Sequence, residues 1–238
     1  IKEQAYNYTY DSMNRIKGAE FKNKAGTWVL PANSAFSESN YQYDLNGNIQ
    51  RLTRRGEKGA IIDDLTYTYF DVNSPSITRS NKLLKVADAG VKTEGFIEGT
   101  NTGYDYGYDA NGNMKVDRNK SITAITYNYL NLPVMVSKQT RDNIEYTYNA
   151  AGSKLTQTVH EAMASPEVKV TDYLGELILE NGELKFVNHS EGRIVPDGNG
   201  WEYQYHLKDH LGNVRLTFTS EPKTENVTAT YEPANAVA

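Results

Sequence analysis

A three-residue phrase, Tyr-x-Tyr, recurs along this 238-residue chain and constrains its fold more than any other feature of the sequence. Successive side chains of a strand point to opposite faces, so the two tyrosines of each phrase share one face. The phrases return with a period of about twenty residues, lengthened by insertions, which is typical of a repeat protein. Counted without overlaps, the chain has seven copies, which begin at Tyr8, Tyr41, Tyr67, Tyr106, Tyr127, Tyr146 and Tyr203.

The two most complete copies run directly into a turn signal. Residues 41–49 read Tyr-Gln-Tyr-Asp-Leu-Asn-Gly-Asn-Ile, and residues 106–114 read Tyr-Gly-Tyr-Asp-Ala-Asn-Gly-Asn-Met. Asp closes an Asx turn and Asn-Gly adopts the positive φ of a tight turn, so each copy predicts a β-hairpin. Other copies vary the turn: Met13-Asn14-Arg15 lacks glycine, and we expect Ala151-Gly152-Ser153 to shift the glycine by one position and change the register.

The rest of the pattern is that of a sheet. Apolar and polar residues alternate again after each turn, and the seven prolines leave no long helical stripe between them. An isolated hairpin is marginal in water, so we expect the hairpins to pair edge to edge into one long sheet that coils or closes on itself. The sequence predicts an all-β chain with repeats over residues 1–220, followed by a polar linker or the start of another segment over 221–238.

Composition narrows the function classes. With 18 tyrosines against 6 phenylalanines, tyrosine must supply much of the packing on a partly polar face. A formal charge of −5 with interspersed signs gives no basic surface, so we expect no nucleic-acid partner. The absence of cysteine excludes disulfides and thiolate chemistry. No apolar run approaches the roughly 18 residues of a membrane span, so we expect no direct membrane insertion.

The phrase Tyr-x-Tyr-Asp-x-x-Gly-x-apolar resembles the signature of YD repeats, and the copies at 41–49 and 106–114 match it completely. The resemblance covers about residues 5 to 220. Because the chain begins without Met and inside a repeat, we expect a fragment of a larger protein. The repeat-signature residues, to which the resemblance gives a structural role, are Tyr8, Tyr10, Asp11, Tyr41, Tyr43, Asp44, Gly47, Tyr106, Tyr108, Asp109, Gly112, Tyr146, Tyr148 and Gly152.

A more specific match lies at about residues 203–218, which resemble the opening of the RHS repeat-associated core. We expect Asp209 to accept backbone N–H groups in a turn and Arg215 to pair with an acid or a carbonyl. The sequence of residues 208–215, Lys-Asp-His-Leu-Gly-Asn-Val-Arg, resembles that of Bacteroidetes RHS proteins, many of which are exported by the type IX route. The matching core residues are Tyr205, Asp209, Leu211, Gly212, Val214 and Arg215.

The resemblance implies a sheet of hairpins wound into a hollow β-cocoon shell that encloses a C-terminal cargo, usually a toxin in polymorphic toxin systems. It implies a secreted or cell-surface protein whose partner is the remainder of its own polypeptide. Secretion machinery or a cell-surface receptor would be further partners. Some family members cut themselves downstream of the core by aspartate chemistry, but no residue of this chain matches that motif, so we expect no enzyme and no catalytic residue.

The alternative function is a cell-surface recognition module that binds glycan or protein. Residues 18–40 and 87–102 are insertions between repeats and are the candidate binding segments, because loops commonly carry binding function. Rows of tyrosine either form a cross-strand packing ladder or present aromatic faces to sugar rings. We favour the packing ladder because it needs no ligand.

Three polar patterns favour turns and strands over reactive sites. His206 and His210 lie four apart, but Leu207 stands where a zincin has its catalytic Glu. The Asp44 turn offers alternating oxygens, but its glycine is fourth rather than sixth as in an EF-hand loop. We therefore expect no metal and no cofactor. The acids at 63 and 64 lack a convergent partner in the sequence, so we expect a solvated turn there.

Overall fold

The structure is a computed structural model that describes residues 3–69, 80–91, 93–100, 102–162, 167–198 and 200–220. Within these residues it contains nineteen strands and no helix, so the all-β prediction is confirmed. The linker expected over 221–238 lies outside the described residues. The chain divides into two compact units, one with the described residues up to Lys120 and one that begins at Ser121.

The described residues of the first unit form nine strands. Six of them follow one another across an antiparallel sheet in the order β1-β2-β4-β5-β6-β7, with β3 paired to β2. The strands β8 and β9 form a further antiparallel hairpin. The bounds are β1 (Gln4–Tyr10), β2 (Ile16–Ala25), β3 (Thr27–Val29), β4 (Glu38–Tyr43), β5 (Ile49–Arg55), β6 (Ile61–Thr68), β7 (Lys85–Asp88), β8 (Tyr106–Tyr108) and β9 (Met114–Asp117).

Ten strands are formed by the described part of the second unit, and each pairs antiparallel with the next along the chain. This order is what a run of hairpins joined edge to edge produces. The bounds are β10 (Ile122–Tyr127), β11 (Pro133–Lys138), β12 (Asn143–Tyr148), β13 (Lys154–Glu161), β14 (Glu167–Leu174), β15 (Leu177–Glu180), β16 (Glu183–His189), β17 (Gly192–Pro196), β18 (Trp201–Lys208) and β19 (Val214–Thr219).

The buried apolar side chains of the first unit lie in two places, on and near β2 (Ala19, Phe21 and Ala35) and on and near β6 and β7 (Leu65, Leu84 and Val86). Register pairs Tyr6 with Phe21 and Tyr8 with Ala19, so the tyrosines share a face with buried residues. The Phe21 ring lies 5.4 Å from the Tyr6 ring and 5.2 Å from the Phe36 ring. Tyrosine therefore covers the core of this hairpin rather than standing apart from it.

The most deeply buried large side chains of the first unit are carboxylates. Asp63 is 0% exposed and Asp105 is 1% exposed. The Asp63 carboxylate accepts a hydrogen bond from Arg54 Nε at 2.6 Å and another from the backbone N–H of Phe96 at 2.6 Å. The Asp105 carboxylate accepts the backbone N–H of Val86 at 2.7 Å. Each buried charge is compensated by an opposite charge or by N–H donors.

The solvated turn expected at Asp63 and Asp64 is wrong. Both residues lie within β6, and Asp63 shares a face with the buried Leu65. Asp63 is buried because register places Arg54 of β5 beside it and because the β7–β8 connection folds over it. A Cβ atom at Gly95 would collide with the Asp63 carboxylate, so glycine is required for this close approach.

We expect Asp63→Asn to lower the free energy of unfolding by about 2–4 kcal/mol, because it leaves Arg54 without its buried partner. Asp64→Asn is the matched control, since its side chain is partly exposed and its contact with Arg51 is 3.6 Å long. The control should cost less than about 1 kcal/mol. Urea denaturation followed by circular dichroism measures both. Equal losses in the two variants would contradict a structural role for the buried pair.

Candidate functional site

The turn between β4 and β5 shows the unit that repeats along the chain. The N–H of Asp44 donates to the carbonyl of Asn48 at 3.0 Å, and the N–H of Gly47 donates to the carbonyl of Asp44 at 3.1 Å. Gly47 has a φ of +85°, and the strand register shifts beside Tyr43. This is a three-residue hairpin loop in which a type I turn ends in a left-handed residue and a bulge.

The Asp44 carboxylate holds this turn together. Its Oδ1 accepts the backbone N–H groups of Asn46 at 2.9 Å and Asn48 at 2.8 Å, and its Oδ2 accepts the Asn48 side-chain amide at 2.8 Å. The pKa of Asp44 is lowered, first by the Asn48 side chain and then by backbone N–H donors. In the turn at Asp109, the carboxylate accepts hydrogen bonds from the backbone N–H and the side-chain amide of Asn113. The pKa of Asp109 is lowered for the same reasons.

Among the described residues, the same backbone pattern occurs in six turns whose first residue is Asp or Asn. In each turn the fourth residue has a positive φ. Glycine and asparagine tolerate that conformation, which explains why Met13-Asn14-Arg15 works without glycine. The six first residues and their fourth residues are Asp11 and Asn14, Asp44 and Gly47, Asp109 and Gly112, Asn128 and Asn131, Asn149 and Gly152, and Asp209 and Gly212.

The predicted shift of the glycine at Gly152 is wrong. Gly152 donates to the carbonyl of Asn149 at 3.0 Å, so it holds the same fourth position that Gly47 holds. The Asn149 Oδ1 accepts the N–H groups of Ala151 and Ser153, each at 2.9 Å, as an aspartate would. Asparagine therefore replaces aspartate as the first residue of this turn, and the position of the glycine must be counted from Asn149.

Two turns escaped the sequence pattern because they lack the side-chain acceptor. Gly59 donates to the carbonyl of Gly56 at 3.0 Å, and Arg141 donates to the carbonyl of Lys138 at 3.2 Å. Gly59 and Arg141 have φ values of +77° and +72°. The backbone of the turn is therefore more general than the Asx side chain that marks it.

A second recurring contact joins one hairpin to the next. In three copies the second tyrosine of the phrase directly precedes the turn, and its hydroxyl donates to a backbone carbonyl of an earlier strand or its flank. We call this contact the tyrosine junction. The three described examples are Tyr43 to Ile16 at 2.7 Å, Tyr108 to Leu83 at 2.8 Å and Tyr148 to Pro133 at 2.9 Å.

A cation accompanies two of these junctions. The guanidinium of Arg15 lies 4.4 Å from the centre of the Tyr43 ring, and the ammonium of Lys82 lies 5.7 Å from the centre of the Tyr108 ring. Each cation is the residue directly before the one whose carbonyl accepts the tyrosine hydroxyl. Ring and hydroxyl are thus both engaged by the same earlier segment.

In two of these copies the first tyrosine of the phrase lies half-buried beside the second. The Tyr41 and Tyr43 rings stack at 6.4 Å, as do the Tyr146 and Tyr148 rings at a more tilted angle. Burial is the largest cause that raises the pKa of each of these four tyrosines. Burial therefore keeps these phenols protonated to a higher pH than an exposed tyrosine. The pKa of Tyr106 and of Tyr108 is raised by burial in the same way.

The RHS core-like segment forms the β18–β19 hairpin. The Asp209 Oδ1 accepts the N–H groups of Leu211 and Asn213 at 2.9 Å, and its Oδ2 lies 2.7 Å from Arg215 Nη2. The pKa of Asp209 is lowered to about 2, first by the Asn213 side chain. Val214 begins β19 and is 49% exposed. The segment therefore carries the same turn as the other repeats, with an arginine bound to it.

The tyrosines of this last copy lie on the opposite face of the sheet. Tyr205 stands four residues before Asp209, whereas Tyr148 stands directly before its turn residue. Strand register across the second unit accordingly places Tyr205 opposite the face that carries Tyr148. There Tyr205 stacks on Phe218 at 5.6 Å and meets the edge of His189 at 5.9 Å.

Lys208 takes the place directly before Asp209. Its ammonium donates to the carbonyl of Ser190, in the turn between β16 and β17, at 3.4 Å. A lysine therefore reaches an earlier backbone carbonyl from the position that tyrosine occupies in the other repeats.

Among the residues that the structure describes, no group of three or more His, Cys, Asp or Glu side chains is arranged to hold a metal ion. The Nδ1 of His206 is 2.9 Å from the hydroxyl of Thr217 across the strand pair. The oxygens of the Asp44 and Asp109 turns are engaged by the turns themselves. In the described part of the chain, no helix has the length and apolar character needed to cross a membrane.

Antiparallel hairpins joined by a repeated turn define a β-hairpin repeat protein. No family model and no curated protein matches the sequence. The fold is similar to that of solved Tc toxin structures. A crystal structure of TcdB2-TccC3-Cdc42 matches with a TM-score of 0.52 and 14% identity over 91% of this chain and 13% of that chain. A crystal structure of TcdB2-TccC3 matches with a TM-score of 0.51 and 13% identity over the same shares.

A structure of the Photorhabdus luminescens Tc holotoxin pore with a mutated TccC3 matches with a TM-score of 0.51 and 13% identity over 91% of this chain and 12% of that chain. The chain thus spans about an eighth of the length of the chains it matches. At these identities the likeness concerns the fold. The chain has an RHS-like repeat fold, as the resemblance in the sequence implied.

We expect Tyr43→Phe to lower the free energy of unfolding by about 1 kcal/mol, because it removes only the hydroxyl that binds the Ile16 carbonyl. Tyr129→Phe is the matched control, since Tyr129 is 82% exposed in a turn. Urea denaturation of both variants measures the difference. Two variants of equal stability would show that the tyrosine junction does not hold neighbouring hairpins together.

We expect the stability that Asp209 contributes to be lost in acid. Its folded-state pKa of about 2 lies below the ordinary 3.8, so the contribution is present above pH 4 and disappears as the pH falls towards 2. The difference in urea midpoint between the parent protein and Asp209→Asn should shrink across this range. Asn149→Ala removes a neutral acceptor from an equivalent turn, and its effect should not change with pH. A constant effect of Asp209→Asn would contradict the assignment.

Proposed function

We propose that this chain is a segment of a structural shell that encloses an attached polypeptide in a secreted, toxin-like protein. The observation that carries the proposal is the RHS-like fold over 91% of the chain, shared with components of Tc toxins. The work of such a segment is containment, and we assign no catalytic residue and no cofactor to it.

The pairing of the second unit suits a wall. Each strand from β11 to β18 has a partner on both sides, so the backbone groups between neighbours are satisfied within the sheet. The turn is stabilised locally by one side chain, so its geometry does not depend on what lies against the sheet. A wall of this kind can enclose many sequences without binding one of them specifically.

The tyrosine face suits the same role. Half-buried rings supply apolar cover, while their hydroxyls are engaged by backbone carbonyls of the same sheet. Aromatic surface with a satisfied polar tip packs against a neighbouring polypeptide without demanding a matching donor or acceptor. The packing ladder is the role that we assign to these tyrosines.

We extend the proposal to the export route and the partners. The sequence of residues 208–215 supports the proposal that this is a Bacteroidetes-type RHS protein exported by type IX machinery. Its main partner is the remainder of its own polypeptide, which supplies further repeats and the enclosed cargo. The protein would act outside the producing cell, either released or at the cell surface.

A recognition module is the second candidate, and the β7–β8 connection favours it. Val91 is 40% exposed and Ile97 is 57% exposed in this connection. The connection is held to the sheet through the Asp63 carboxylate and the N–H of Phe96. Exposed apolar side chains on an anchored loop are suited to contact a protein or glycan receptor.

The test uses the natural polypeptide that contains this sequence. Intact mass and limited proteolysis would show whether its C-terminal segment is protected while held by the repeats. Enclosure predicts a segment that resists protease in the folded protein and is digested once urea unfolds the shell. A segment digested at the same rate in both states would overturn the proposal and favour the recognition module.

A further inference from the structure

We propose that Asn181 is a modification site, at which the side-chain amide is lost spontaneously faster in the folded protein than at the other described Asn-Gly pairs. The inference does not rest on the container proposal. It follows from the hydrogen bonds of one hairpin turn, compared with those of two other turns in the same chain.

The reaction needs only the chain and water. The backbone nitrogen of a glycine attacks the Cγ of the asparagine before it, and the side-chain nitrogen leaves as ammonia. The glycine nitrogen gives its proton to the solvent, and the leaving nitrogen takes one from the solvent. Water then opens the cyclic imide at one of its two carbonyls, which yields aspartate or isoaspartate. Glycine favours the attack because it has no Cβ atom to block the approach.

Four Asn-Gly pairs occur in the sequence, and the structure describes three of them. The fourth, at 199–200, includes a residue that lies outside the described ones. Asn46-Gly47 and Asn111-Gly112 belong to the aspartate turns before β5 and β9. Asn181-Gly182 is the two-residue loop between β15 and β16, and its φ values of +52° and +83° are those of a type I′ turn.

The attacking nitrogen is engaged in both aspartate turns. The N–H of Gly47 donates to the carbonyl of Asp44 at 3.1 Å, and the N–H of Gly112 donates to the carbonyl of Asp109 at 3.1 Å. Attack requires the nitrogen to lose this proton and to approach the side chain of the asparagine. The hydrogen bond of the turn must therefore break first, which slows the reaction at these two pairs.

The attacking nitrogen is free at the third pair. Within the part of the chain that the structure describes, the N–H of Gly182 has no hydrogen-bond partner. The loop is closed by the pairing of Glu180 with Glu183 on either side of it, and both loop residues are exposed. No hydrogen bond of this turn has to break before the nitrogen of Gly182 can react.

The carbonyl that is attacked at Asn181 is also polarised by the fold. Its Oδ1 accepts the N–H of Val170, in the neighbouring strand β14, at 2.8 Å. Negative charge builds up on this oxygen as the ring closes, so a donor that is already in place stabilises the transition state. Among the described residues, the Asn46 amide is held instead through its Nδ2, 3.0 Å from the Oδ1 of Asn81, and its own Oδ1 has no such donor.

The two products differ in their effect on the hairpin. An aspartate at this position keeps the acceptor for the Val170 N–H and makes the hydrogen bond charge-assisted. The new charge lies beside Glu180, whose carboxylate is 2.7 Å from Lys169 Nζ and 3.0 Å from Lys185 Nζ. Isoaspartate adds a carbon to the backbone of a two-residue loop, so it is incompatible with the register of β15 and β16.

Peptide mapping by mass spectrometry tests the proposal, after incubation of the natural polypeptide that contains this sequence at one pH and temperature. In the folded protein we expect Asn181 to lose its amide about tenfold faster than Asn46 and Asn111, the effect of one hydrogen bond fewer to break and one more donor on Oδ1. In the same polypeptide unfolded in urea, the three pairs should react at similar rates, because each has the same glycine and none has its turn.

The Asn81→Ala variant is the matched control. It removes the acceptor that holds the Asn46 amide, so Asn46 should react about two- to fivefold faster, while the rate at Asn181 stays that of the parent. Circular dichroism confirms that the variant folds. Equal rates at the three pairs in the folded protein would overturn the proposal. So would a difference that persists in urea, since its cause would then be the local sequence.

Discussion

The structure depends on one side-chain oxygen that accepts two backbone N–H groups in each marked turn. In the turns of Asp44, Asn149 and Asp209, Oδ1 bonds the second and fourth residues that follow it. This contact sets a three-residue loop, and the loop requires a left-handed fourth residue. The register shift falls at the tyrosine that directly precedes the turn, as at Tyr43 and Tyr148. The tyrosine junction is therefore made at the position where the turn shifts the strand register.

The repeated turn and junction together explain how a chain with little apolar burial can be ordered. Most tyrosines of the phrase are half-buried, and the largest fully buried side chains described are carboxylates. Local hydrogen bonds hold each hairpin, and hydroxyl-to-carbonyl bonds with stacked cations hold its neighbour. Such a sheet can grow by addition of like units.

The repeat could be derived from the sequence because its determinants are local. The spacing from Asp44 to Gly47 identifies both the side-chain acceptor of the turn and the residue with a positive φ. The role of Asn149 is not evident from the Asp-based pattern, because asparagine supplies there the Oδ1 acceptor that aspartate supplies in the Asp44 turn. That Tyr205 lies on the opposite face of the sheet could be predicted from the sequence, because Tyr205 stands an even number of residues before Asp209. The burial of Asp63 could not be predicted from the sequence, because it needs an arginine from a paired strand and a loop that folds over it.

A cryo-EM structure of the full natural polypeptide that carries this sequence tests the central claim most directly. The account predicts that hairpins with the same turn continue as a wall, with polypeptide density enclosed on one side of it. It also predicts that the tyrosine junction recurs between neighbouring hairpins across that wall. A sheet with both faces open to solvent, and no enclosed polypeptide, would contradict the account.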